Sequence, residues 1–482
     1  MTVANGTQQV SAERAPDTAD VIVIGGGTGG YSTALRAAAL GLDVLLAERD
    51  LIGGTCLHRG CIPSKAMLHA AELVDGIAEA RERWGVKAVV DGIDWSALTA
   101  TRDDIVTRNH RGVEGHLAHA GVRVLRAAAR LTGPRTVTAG GAAYTARRGI
   151  VLATGSTPRL LPGLVPDGHR VVTSDDALFA PGLPESVLVL GGGAIGVEYA
   201  SLHRSMGARV VLVEAADRLL PLEDPDVSRQ LTRGLKKRGI EVRTGALLTG
   251  TEVYEGGVRA TVKAPGRGGE STLDVARLLV AVGRVPVTDG LGLAAAGLET
   301  DARGYVAPAD WSRLETAVPG IHVVGDLLPP PSLGLAHASF AEGLLVAETL
   351  AGGSPQPLDY AAVPRVTYSS PQTASVGLTE QQAEEQGIRY VTAIQEYGSI
   401  AYGWAMEDAD HFAKLLADPD TGQLLGAHLI GPQASSLIQP LIQAMSFGLP
   451  AHQMARGQYW IHPAMAELVE NALLALPLRD RE

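Results

Sequence analysis

The sequence predicts an α/β protein with two doubly wound parallel sheets and a smaller α+β domain at its C-terminal end. Short β-branched runs alternate with alanine-rich helical stretches through most of the chain, which is typical of parallel sheets. One strand–glycine–helix–strand plan occurs twice, first near Val21 and again near Val187. Beyond residue 356 the strand and helix patterns continue without a third glycine pattern, which indicates a separate domain.

Composition narrows the classes of function. The 482 residues are enough for about three domains. No stretch approaches the roughly 20 apolar residues that a membrane helix needs. A net charge of -11 argues against nucleic acid and anionic membranes as partners. Two cysteines are too few for a disulfide-stapled secreted scaffold, so a reducing cytoplasm is the expected location. Residues 1–19 are polar, lack the apolar core of a signal peptide, and are expected to form a disordered tail.

The secondary structure can be assigned in chain order from the apolar runs and the glycines. The region 87–150 is mixed, and 241–282 has short strands with glycine turns. A run of prolines at 329–331 precedes a helix, and a loop at 352–357 marks a domain boundary. The clearest elements are strand Val21–Ile24, a helix including Thr33–Leu40, strand Val44–Ala47, a helix from Lys65 to about Glu82, strand Gly149–Ala153, the unit Val187–Glu214, strand Leu278–Val282 and a helix near His337–Leu350.

Two glycine patterns follow apolar strands, and an acid stands about 20 residues after each pattern, at the end of the next strand. The glycines permit a tight turn, close approach of the backbone to a pyrophosphate, and close packing of helix on strand. The helix N-terminus faces the anion, and the acid can accept hydrogen bonds from a ribose diol. The sequence therefore predicts two dinucleotide-binding, Rossmann-like domains. The patterns are Gly25-x-Gly27-x-x-Gly30 with Glu48, and Gly191-x-Gly193-x-x-Gly196 with Glu214.

The second pattern favours NAD over NADP. The Glu214 carboxylate would repel the 2′-phosphate of NADP, and no arginine stands at the end of that strand. Arg218 lies four residues later, which leaves NADP open as the less favoured cofactor.

The two cysteines, Cys56 and Cys61, lie five residues apart in the segment GGTCLHRGCIPSK. Pro63 suits the first turn of a helix, so the sulfurs are expected at or near a helix N-terminus, where the helix dipole favours thiolate. Two thiolates without a second cysteine pair make a poor tetrahedral zinc site, and no metal is expected. The spacing indicates a redox-active dithiol.

This segment resembles the active site of the pyridine nucleotide–disulfide oxidoreductases, and it most resembles that of the dihydrolipoamide dehydrogenases. The resemblance extends over about residues 20–475. The other matching segments are Ile150–Thr154 with Gly155, Leu278–Val282 with Gly283 and Arg284, Val318–Asp326, Leu335–His337 with Glu342 and Gly343, and Tyr368–Glu380.

The resemblance implies two cofactors, FAD at the first glycine pattern and NAD at the second. It implies that Cys56 exchanges with the substrate and that Cys61 faces the flavin. Lys65 is implied to pair with Glu198 beside the flavin ring. The implied FAD-binding residues are Gly25, Gly27, Gly30, Glu48, Gly54, Thr55, Lys65, Gly155, Asp326, Ala336 and His337, and the implied NAD-binding residues are Gly191, Gly193, Gly196, Glu214 and Gly283.

The resemblance also implies a domain order. After the tail at 1–19 come the first part of the FAD-binding domain at 20–157 and the NAD-binding domain at 158–282. The second part of the FAD-binding domain is expected at 283–355, and a dimerisation domain at 356–482.

Dithiol–disulfide exchange needs a proton acceptor because the thiolate is the nucleophile. His462 is the natural choice near neutral pH, and Glu467 can orient its imidazole and stabilise the cation. The segment matches a His-Pro-x-x-x-Glu motif that members of the resembled family contribute to the partner subunit's site, so a homodimer is implied. Trp460 stands where those dehydrogenases usually have another histidine. It either narrows the disulfide channel or fills space in the core.

Three functional hypotheses follow. The leading one is a dihydrolipoyl dehydrogenase that works with NAD+, with a lipoylated 2-oxo acid dehydrogenase complex as its expected partner. The first alternative is an NAD(P)H-dependent reductase of another low-molecular-weight disulfide, such as a mycothione-type reductase. Mercuric reductase is disfavoured because no further cysteine pair follows Cys61, and glutathione reductase is disfavoured by Glu214. The second alternative is a structural subunit of such a complex with incidental catalysis, which the full set of site residues argues against.

Overall fold

The computed structural model describes residues 17–264, 266 and 269–478. Residues 1–16 of the expected tail lie outside the described residues. The remainder of that tail, Asp17–Ala19, belongs instead to the first strand, because these residues pair with Tyr144–Ala146 of a neighbouring strand. The chain divides into two compact units. The first comprises Met1–Gly54, Arg111–Ser156 and Pro286–Leu358, and the second comprises Thr55–His110, Thr157–Val285 and Asp359–Glu482.

The strands are numbered in chain order. They are β1 (Asp17–Ile24), β2 (Val44–Glu48), β3 (Arg123–Arg126), β4 (Ala129–Leu131), β5 (Thr136–Ala139), β6 (Ala142–Leu152), β7 (Ser156–Pro158), β8 (Val171–Thr173), β9 (Ser186–Leu190), β10 (Arg209–Val213), β11 (Glu241–Arg243), β12 (Leu247–Tyr254), β13 (Gly257–Lys263), β14 (Glu270–Val275), β15 (Arg277–Val280), β16 (Arg284–Pro286), β17 (Ile321–Val323), β18 (Arg365–Thr367), β19 (Thr373–Gly377), β20 (Val391–Glu396), β21 (Phe412–Ala417) and β22 (Leu424–Ile430).

The α-helices are numbered in the same way. They are α1 (Thr28–Ala39), α2 (Gly54–His58), α3 (Cys61–Arg83), α4 (Trp95–His119), α5 (Ser174–Ala177), α6 (Ala194–Ser205), α7 (Pro225–Lys237), α8 (Ala336–Leu350), α9 (Glu380–Glu385), α10 (Ala401–Ala405), α11 (Ala434–Leu437), α12 (Gln439–Phe447), α13 (Ala451–Arg456) and α14 (Glu467–Leu474).

The first unit is built on a sheet with the strand order β3-β2-β1-β6-β5-β4, in which β17 also pairs with β6. Its central strands β1, β2 and β6 run parallel. Val21, Ile22 and Val23 in β1 are fully buried in succession, because helices cover a parallel sheet on both faces. Helices α1 and α8 pack against each other in this unit. The glycine turn therefore follows β1 in the middle of the sheet.

The second unit contains a parallel sheet with the order β11-β10-β9-β15-β8, so the second glycine turn also follows a central strand, β9. Strands β12, β13 and β14 form an antiparallel sheet beside it in the chain, and β18-β19-β22-β21-β20 form another. Helices α3 and α6 pack together in this unit. That packing brings the helix that starts at Cys61 against the helix that follows the second glycine turn.

A buried ion cluster joins segments of the second unit. The Lys414 side chain in β21 is only 1% exposed, and its ammonium lies 3.0 Å from Asp224 Oδ2 and 2.6 Å from Asp226 Oδ2. Glu380, at the start of α9, is its third carboxylate partner. Asp224 also caps α7 by accepting a hydrogen bond from the Asp226 backbone N–H at 2.9 Å. The cluster thus ties α7, which follows the second nucleotide-binding turn, to the C-terminal sheet.

Within the described ranges, none of the helices combines the length and the apolar character that crossing a bilayer requires.

We expect Lys414→Met to lower the free energy of unfolding by about 3–5 kcal/mol, because it leaves the buried Asp224 carboxylate without its cation. The matched control is Lys237→Met, since Lys237 is 67% exposed and pairs with Asp410 at 2.7 Å. Its loss should cost no more than about 1 kcal/mol. Urea denaturation of both variants measures the difference, and equal losses would contradict the role given to the cluster.

Candidate active site

The first glycine turn of the sequence forms the start of α1. Gly27 is the N-cap residue, and within the described part of the chain no side chain caps this helix. A Cβ on Gly30 would lie 1.8 Å from the Gly25 carbonyl oxygen, so only glycine permits this close packing of turn on helix. A Cβ on Gly27 would meet nothing closer than 3.9 Å. The absence of a side-chain cap in the described residues and the open space at Gly27 suit a pyrophosphate at the helix N-terminus.

The acid predicted to bind a ribose, Glu48, is fixed by the backbone. One carboxylate oxygen accepts a hydrogen bond from Gly26 N–H at 2.6 Å, and the other accepts one from Asp50 N–H at 2.7 Å. Each oxygen retains a lone pair for a further donor. The carboxylate is therefore held next to the glycine turn in one orientation and can still accept hydrogen bonds from a diol.

The second glycine turn repeats this geometry in the second unit. Gly193 is the N-cap of α6, and a Cβ there would meet no atom within 4 Å. Glu214 follows β10 and accepts hydrogen bonds from the backbone N–H groups of Gly192 and Ala216. A Cβ on Gly196 would lie 1.8 Å from the Gly191 carbonyl oxygen, the same distance as at the equivalent glycine of the first turn. Both turns consequently fit a dinucleotide on the same physical grounds.

The other residues implied for FAD in the first unit cluster around its sheet. A Cβ on Gly54 would lie 2.6 Å from the Gly27 Cα, so these two glycines approach closely. Asp326 accepts a hydrogen bond from the Ser156 hydroxyl, which follows Gly155 in the chain. Ala336 and His337 form the first turn of α8. These residues lie in the turns after strands or in the first turns of helices, which are the positions where parallel sheets bind nucleotides.

Glu342 is a residue of this region whose contacts the sequence pattern did not indicate. Its side chain is fully buried and accepts hydrogen bonds from Gly325 N–H at 2.6 Å and from the Ser332 hydroxyl at 3.0 Å. It thereby fixes the backbone next to Asp326. The sequence signal was only its place in the segment that matches the resembled family.

The two cysteines belong to the second unit and lie on consecutive helices. Cys56 is in the single-turn helix α2, and Cys61 is the first residue of α3, with Gly60 as its N-cap. Both are free thiols and half-buried. Thr55, implied for FAD, accepts a hydrogen bond at its carbonyl oxygen from Arg59 N–H at 2.8 Å, which closes the loop between the sulfurs. Cys61 therefore lies at the positive end of a long helix, as expected from the sequence.

The two sulfurs share a hydrogen bond that differentiates them. Because the Cys56 thiol donates to Cys61, and because burial disfavours its charged form, the pKa of Cys56 is raised above its usual range. The same hydrogen bond, helped by the nearby Lys65 ammonium, lowers the pKa of Cys61 to about 7 against the opposing effect of burial. Near neutral pH, Cys61 is accordingly the sulfur that carries the thiolate in the reduced pair.

Lys65 and Glu198 form the ion pair that the resemblance implied. The Lys65 ammonium donates to both carboxylate oxygens of Glu198, at 3.0 and 2.9 Å. The Glu198 side chain is 9% exposed and that of Lys65 is 36% exposed. Glu198 also accepts a hydrogen bond from Tyr368 N–H at 2.9 Å. The pair therefore joins α3, α6 and the segment after β18.

His462 and Glu467 also lie together. His462 Nδ1 is 2.7 Å from Glu467 Oε1, and the other carboxylate oxygen accepts a hydrogen bond from Ala464 N–H at 3.1 Å. The hydrogen bond with His462 is the main reason that the pKa of Glu467 is lowered. The His462 side chain is 71% exposed. With Nδ1 held by the carboxylate, Nε2 is the ring nitrogen that remains for a proton from another group.

Trp460 packs inward rather than standing beside His462. Its indole is half-buried against the core of the C-terminal sheet and its helices, and its N–H donates to the Ala455 carbonyl oxygen at 2.9 Å. The neighbouring Tyr459 and Ile461 are 103% and 74% exposed. These contacts favour the core-filling interpretation of Trp460. Tyr459 and Ile461, two large exposed side chains on either side of Trp460, also suit a surface that another protein covers.

Each unit thus gathers its own part of the implied site. The first unit contains the first glycine turn with Glu48, Gly155, Asp326, Ala336 and His337. The second unit contains Thr55, the cysteines, the Lys65–Glu198 pair, the second glycine turn and the His462–Glu467 pair. Gly283, also implied for NAD, accepts a hydrogen bond from Arg159 N–H at 2.9 Å just after β15. In the residues that the structure describes, no group of three or more potential metal ligands occurs.

Family models match both parts of the chain. Residues 19–343 match the pyridine nucleotide-disulphide oxidoreductase family, and residues 363–473 match the dimerisation domain of the same family. The second match supports the formation of homodimers.

Individual relatives agree with this assignment. The chain is 39% identical over 457 residues to a dihydrolipoyl dehydrogenase of Chlorobaculum tepidum, covering 94% of this chain and 96% of the relative. Among solved structures, LpdA from Mycobacterium tuberculosis has a TM-score of 0.86 at 24% identity, covering 95% of this chain and 99% of that chain. The flavoprotein disulfide reductase RclA from Escherichia coli has a TM-score of 0.82 at 26% identity, with the same coverages. The family expected from the cysteine segment is confirmed: the chain belongs to the pyridine nucleotide-disulphide oxidoreductases and is an FAD-dependent, NAD-linked disulfide oxidoreductase.

Proposed function

We propose that the protein is a dihydrolipoyl dehydrogenase in which Cys56 and Cys61 form the redox-active pair. The observation that carries the proposal is the placement of the two cysteines, with Cys61 at the N-terminus of α3, four residues before Lys65, whose ammonium pairs with the nearly buried Glu198 carboxylate. Relatives at 34–39% identity over most of the chain bear the name dihydrolipoyl dehydrogenase.

The overall reaction moves two electrons from a dithiol to a nicotinamide. A dihydrolipoyl dithiol and NAD+ give a lipoyl disulfide, NADH and a proton. In the exchange half, a substrate thiolate attacks Cys56 of the oxidised pair and displaces Cys61 as a thiolate. The second substrate sulfur then attacks the mixed disulfide and releases Cys56. The low pKa of Cys61 makes it the better leaving group in the first step.

When bound, the flavin passes the electron pair between the dithiol and the nicotinamide. The residues suited to hold FAD are the first glycine turn, Glu48 and Asp326, and those suited to hold NAD are the second glycine turn and Glu214. Lys65, four residues after Cys61 on α3, supplies a fixed positive charge near that sulfur. A fixed cation there stabilises the thiolate that remains after reduction.

Proton transfer is assigned to His462. Its Nδ1 is held by Glu467, so Nε2 can take the proton of the substrate thiol and return it later. The exposure of His462 and of its neighbours Tyr459 and Ile461 supports a place at the dimer contact, with each subunit supplying this base to the other's cysteines. We propose on this basis that the active enzyme is the homodimer.

A second candidate keeps the chemistry and reverses its direction. In this alternative the enzyme uses NADH to reduce another low-molecular-weight disulfide. It is favoured by Trp460, which replaces a histidine usual in dihydrolipoamide dehydrogenases, and by the likeness to RclA, which is named a disulfide reductase. Under the leading proposal, the protein works in the cytoplasm and associates with a lipoylated 2-oxo acid dehydrogenase complex.

Turnover separates the two candidates. We expect kcat/KM for dihydrolipoamide with NAD+ to exceed kcat/KM for a panel of small disulfides with NADH by at least about 100-fold, or about 2.7 kcal/mol in transition-state stabilisation. The panel includes the disulfides of glutathione and cysteine. Cys56→Ser is the control, since it should abolish both activities. A small disulfide that outperforms the lipoyl substrate would contradict the leading proposal.

Glu214 is expected to set the preference for NAD. Glu214→Gln removes the charge that repels a 2′-phosphate and keeps an oxygen that can accept one backbone hydrogen bond. We expect the ratio of kcat/KM for NAD+ to that for NADP+ to fall by about tenfold or more. The matched control is Glu48→Gln in the first turn, which should change flavin retention and leave the ratio unaltered. An unchanged ratio in Glu214→Gln would contradict this role of Glu214, and Arg218 would then be the next residue to test.

The shared site predicts complementation between two inactive variants. Cys56→Ser and His462→Gln homodimers should each lose about 100-fold or more of turnover. A mixed dimer that carries one variant in each subunit should recover roughly half of the activity, because one of its two sites then has both groups intact. Glu470→Gln in the same helix α14 controls for general disturbance. Mixed dimers without recovery would show that His462 serves its own subunit or is not the base.

A further inference from the structure

The segment that follows β18 is anchored on α6 at several points. Ser370 N–H donates to the Ser201 hydroxyl at 3.0 Å, and the Arg238 guanidinium donates to the Ser370 carbonyl oxygen at 2.9 Å. Arg238 also donates to Ser201 at 2.8 Å and pairs with Asp75 on α3 at 2.6 Å. These contacts fix the backbone of residues 368–370 relative to α3 and α6.

Tyr368 lies at the start of this anchored segment and contacts both members of the ion pair. Its backbone N–H donates to Glu198 Oε1 at 2.9 Å. Its ring lies under the Lys65 ammonium, with 4.6 Å between Nζ and the ring centroid. An ammonium at this distance is attracted to the electron-rich ring face. The same residue thus holds the carboxylate through its main chain and the cation through its side chain.

The ring contact has a mechanical consequence for Lys65. A lysine side chain has four rotatable bonds, and that of Lys65 is 36% exposed, so the carboxylate alone would leave it room to turn toward water. Carboxylate and ring together restrict the ammonium from two directions. Lys65 is four residues after Cys61 on α3, on the same face of the helix, so the place of the ammonium sets the field at the sulfur.

We propose that Tyr368 is a positioning residue for the disulfide reaction, and that its ring holds the Lys65 ammonium where it stabilises the thiolate of Cys61. The proposal deepens the proposed function and rests on it only for the role of Cys61 in exchange. The charged or titratable groups that act on the Cys61 thiol are Cys56, Lys65 and Glu198, and Lys65 is the one among them that the ring contacts.

The test measures the Cys61 thiolate directly, in a Cys56→Ser background that leaves a single sulfur and a hydroxyl able to donate the same hydrogen bond. The pKa of Cys61 is read from the pH dependence of the thiolate–flavin charge-transfer absorbance, and independently from the pH dependence of alkylation by a small neutral reagent. We expect Tyr368→Leu to raise this pKa by about half a unit, which lowers the thiolate fraction about threefold at a pH well below it.

Tyr368→Phe retains the ring face and the backbone N–H, and it should leave the pKa of Cys61 unchanged. In a Lys65→Met background, Tyr368→Leu should have no further effect, because the ring then has no ammonium to hold. If Tyr368 had only a structural role, Tyr368→Leu and Tyr368→Phe would shift the pKa of Cys61 alike, or Tyr368→Leu would shift it by the same amount in the Lys65→Met background. Either result, or an unshifted pKa in Tyr368→Leu, overturns the proposal.

Tyr254→Leu is the matched control, since Tyr254 also carries a cation over its ring, with Arg259 at 5.6 Å, in the sheet of β12 and β13. It should leave the Cys61 titration unaltered. Tyr368→Met keeps a side chain of similar length and serves if the Leu variant loses flavin or folds poorly. Alkylation needs no lipoyl substrate, so a failure of the proposed function, seen in the turnover of dihydrolipoamide, stays distinct from a failure of this inference.

Discussion

The Glu198 carboxylate holds three segments of the second unit in place relative to one another. It is nearly buried, and a buried charge is tolerated only when partners satisfy it. Glu198 lies on α6, and its partners come from two other stretches of chain: Lys65 from the cysteine helix and the backbone N–H of Tyr368 from the C-terminal part. Because removing any partner would leave a buried charge unpaired, the redox helix, the NAD turn and the C-terminal sheet hold one another in register.

Much of the fold could be predicted because its signals are local. Each strand–glycine–helix–strand unit spans fewer than about 30 residues, and its apolar runs, glycines and strand-end acid are adjacent in the chain. The second strand–glycine–helix–strand motif was expected at Val187–Glu214, and this range contains β9, α6 and β10. The helix α4 was not expected. Its sequence mixes threonine, asparagine, histidine and glycine with weakly periodic apolar residues, so local propensity gives no clear signal for 25 helical residues.

The site divides in the same way. The cysteine pair and the glycine turns follow from short spacings in the sequence, whereas His462 and Glu467 were singled out by their match to a motif of the resembled family. The Lys65–Glu198 pair was available only through resemblance, because its members are 133 residues apart. The contact between Tyr368 and Glu198 spans 170 residues, and nothing in either local sequence announces it. Contacts of this kind arise from tertiary packing. The loop after β18 can contact Lys65 and Glu198 together only because α3 and α6 pack side by side.

The Glu48 and Glu214 carboxylates are both bound by the main chain, which has a consequence for substitutions at these positions. In both turns the carboxylate accepts hydrogen bonds from two main-chain N–H groups. One belongs to the glycine loop, and the other belongs to the residue two positions after the acid in the chain. Each acid is thus bonded to the main chain of its own turn, and these hydrogen bonds restrict the orientation of the carboxylate. A substitution of either acid would therefore remove contacts that shape its own glycine loop, in addition to any contact with a bound sugar.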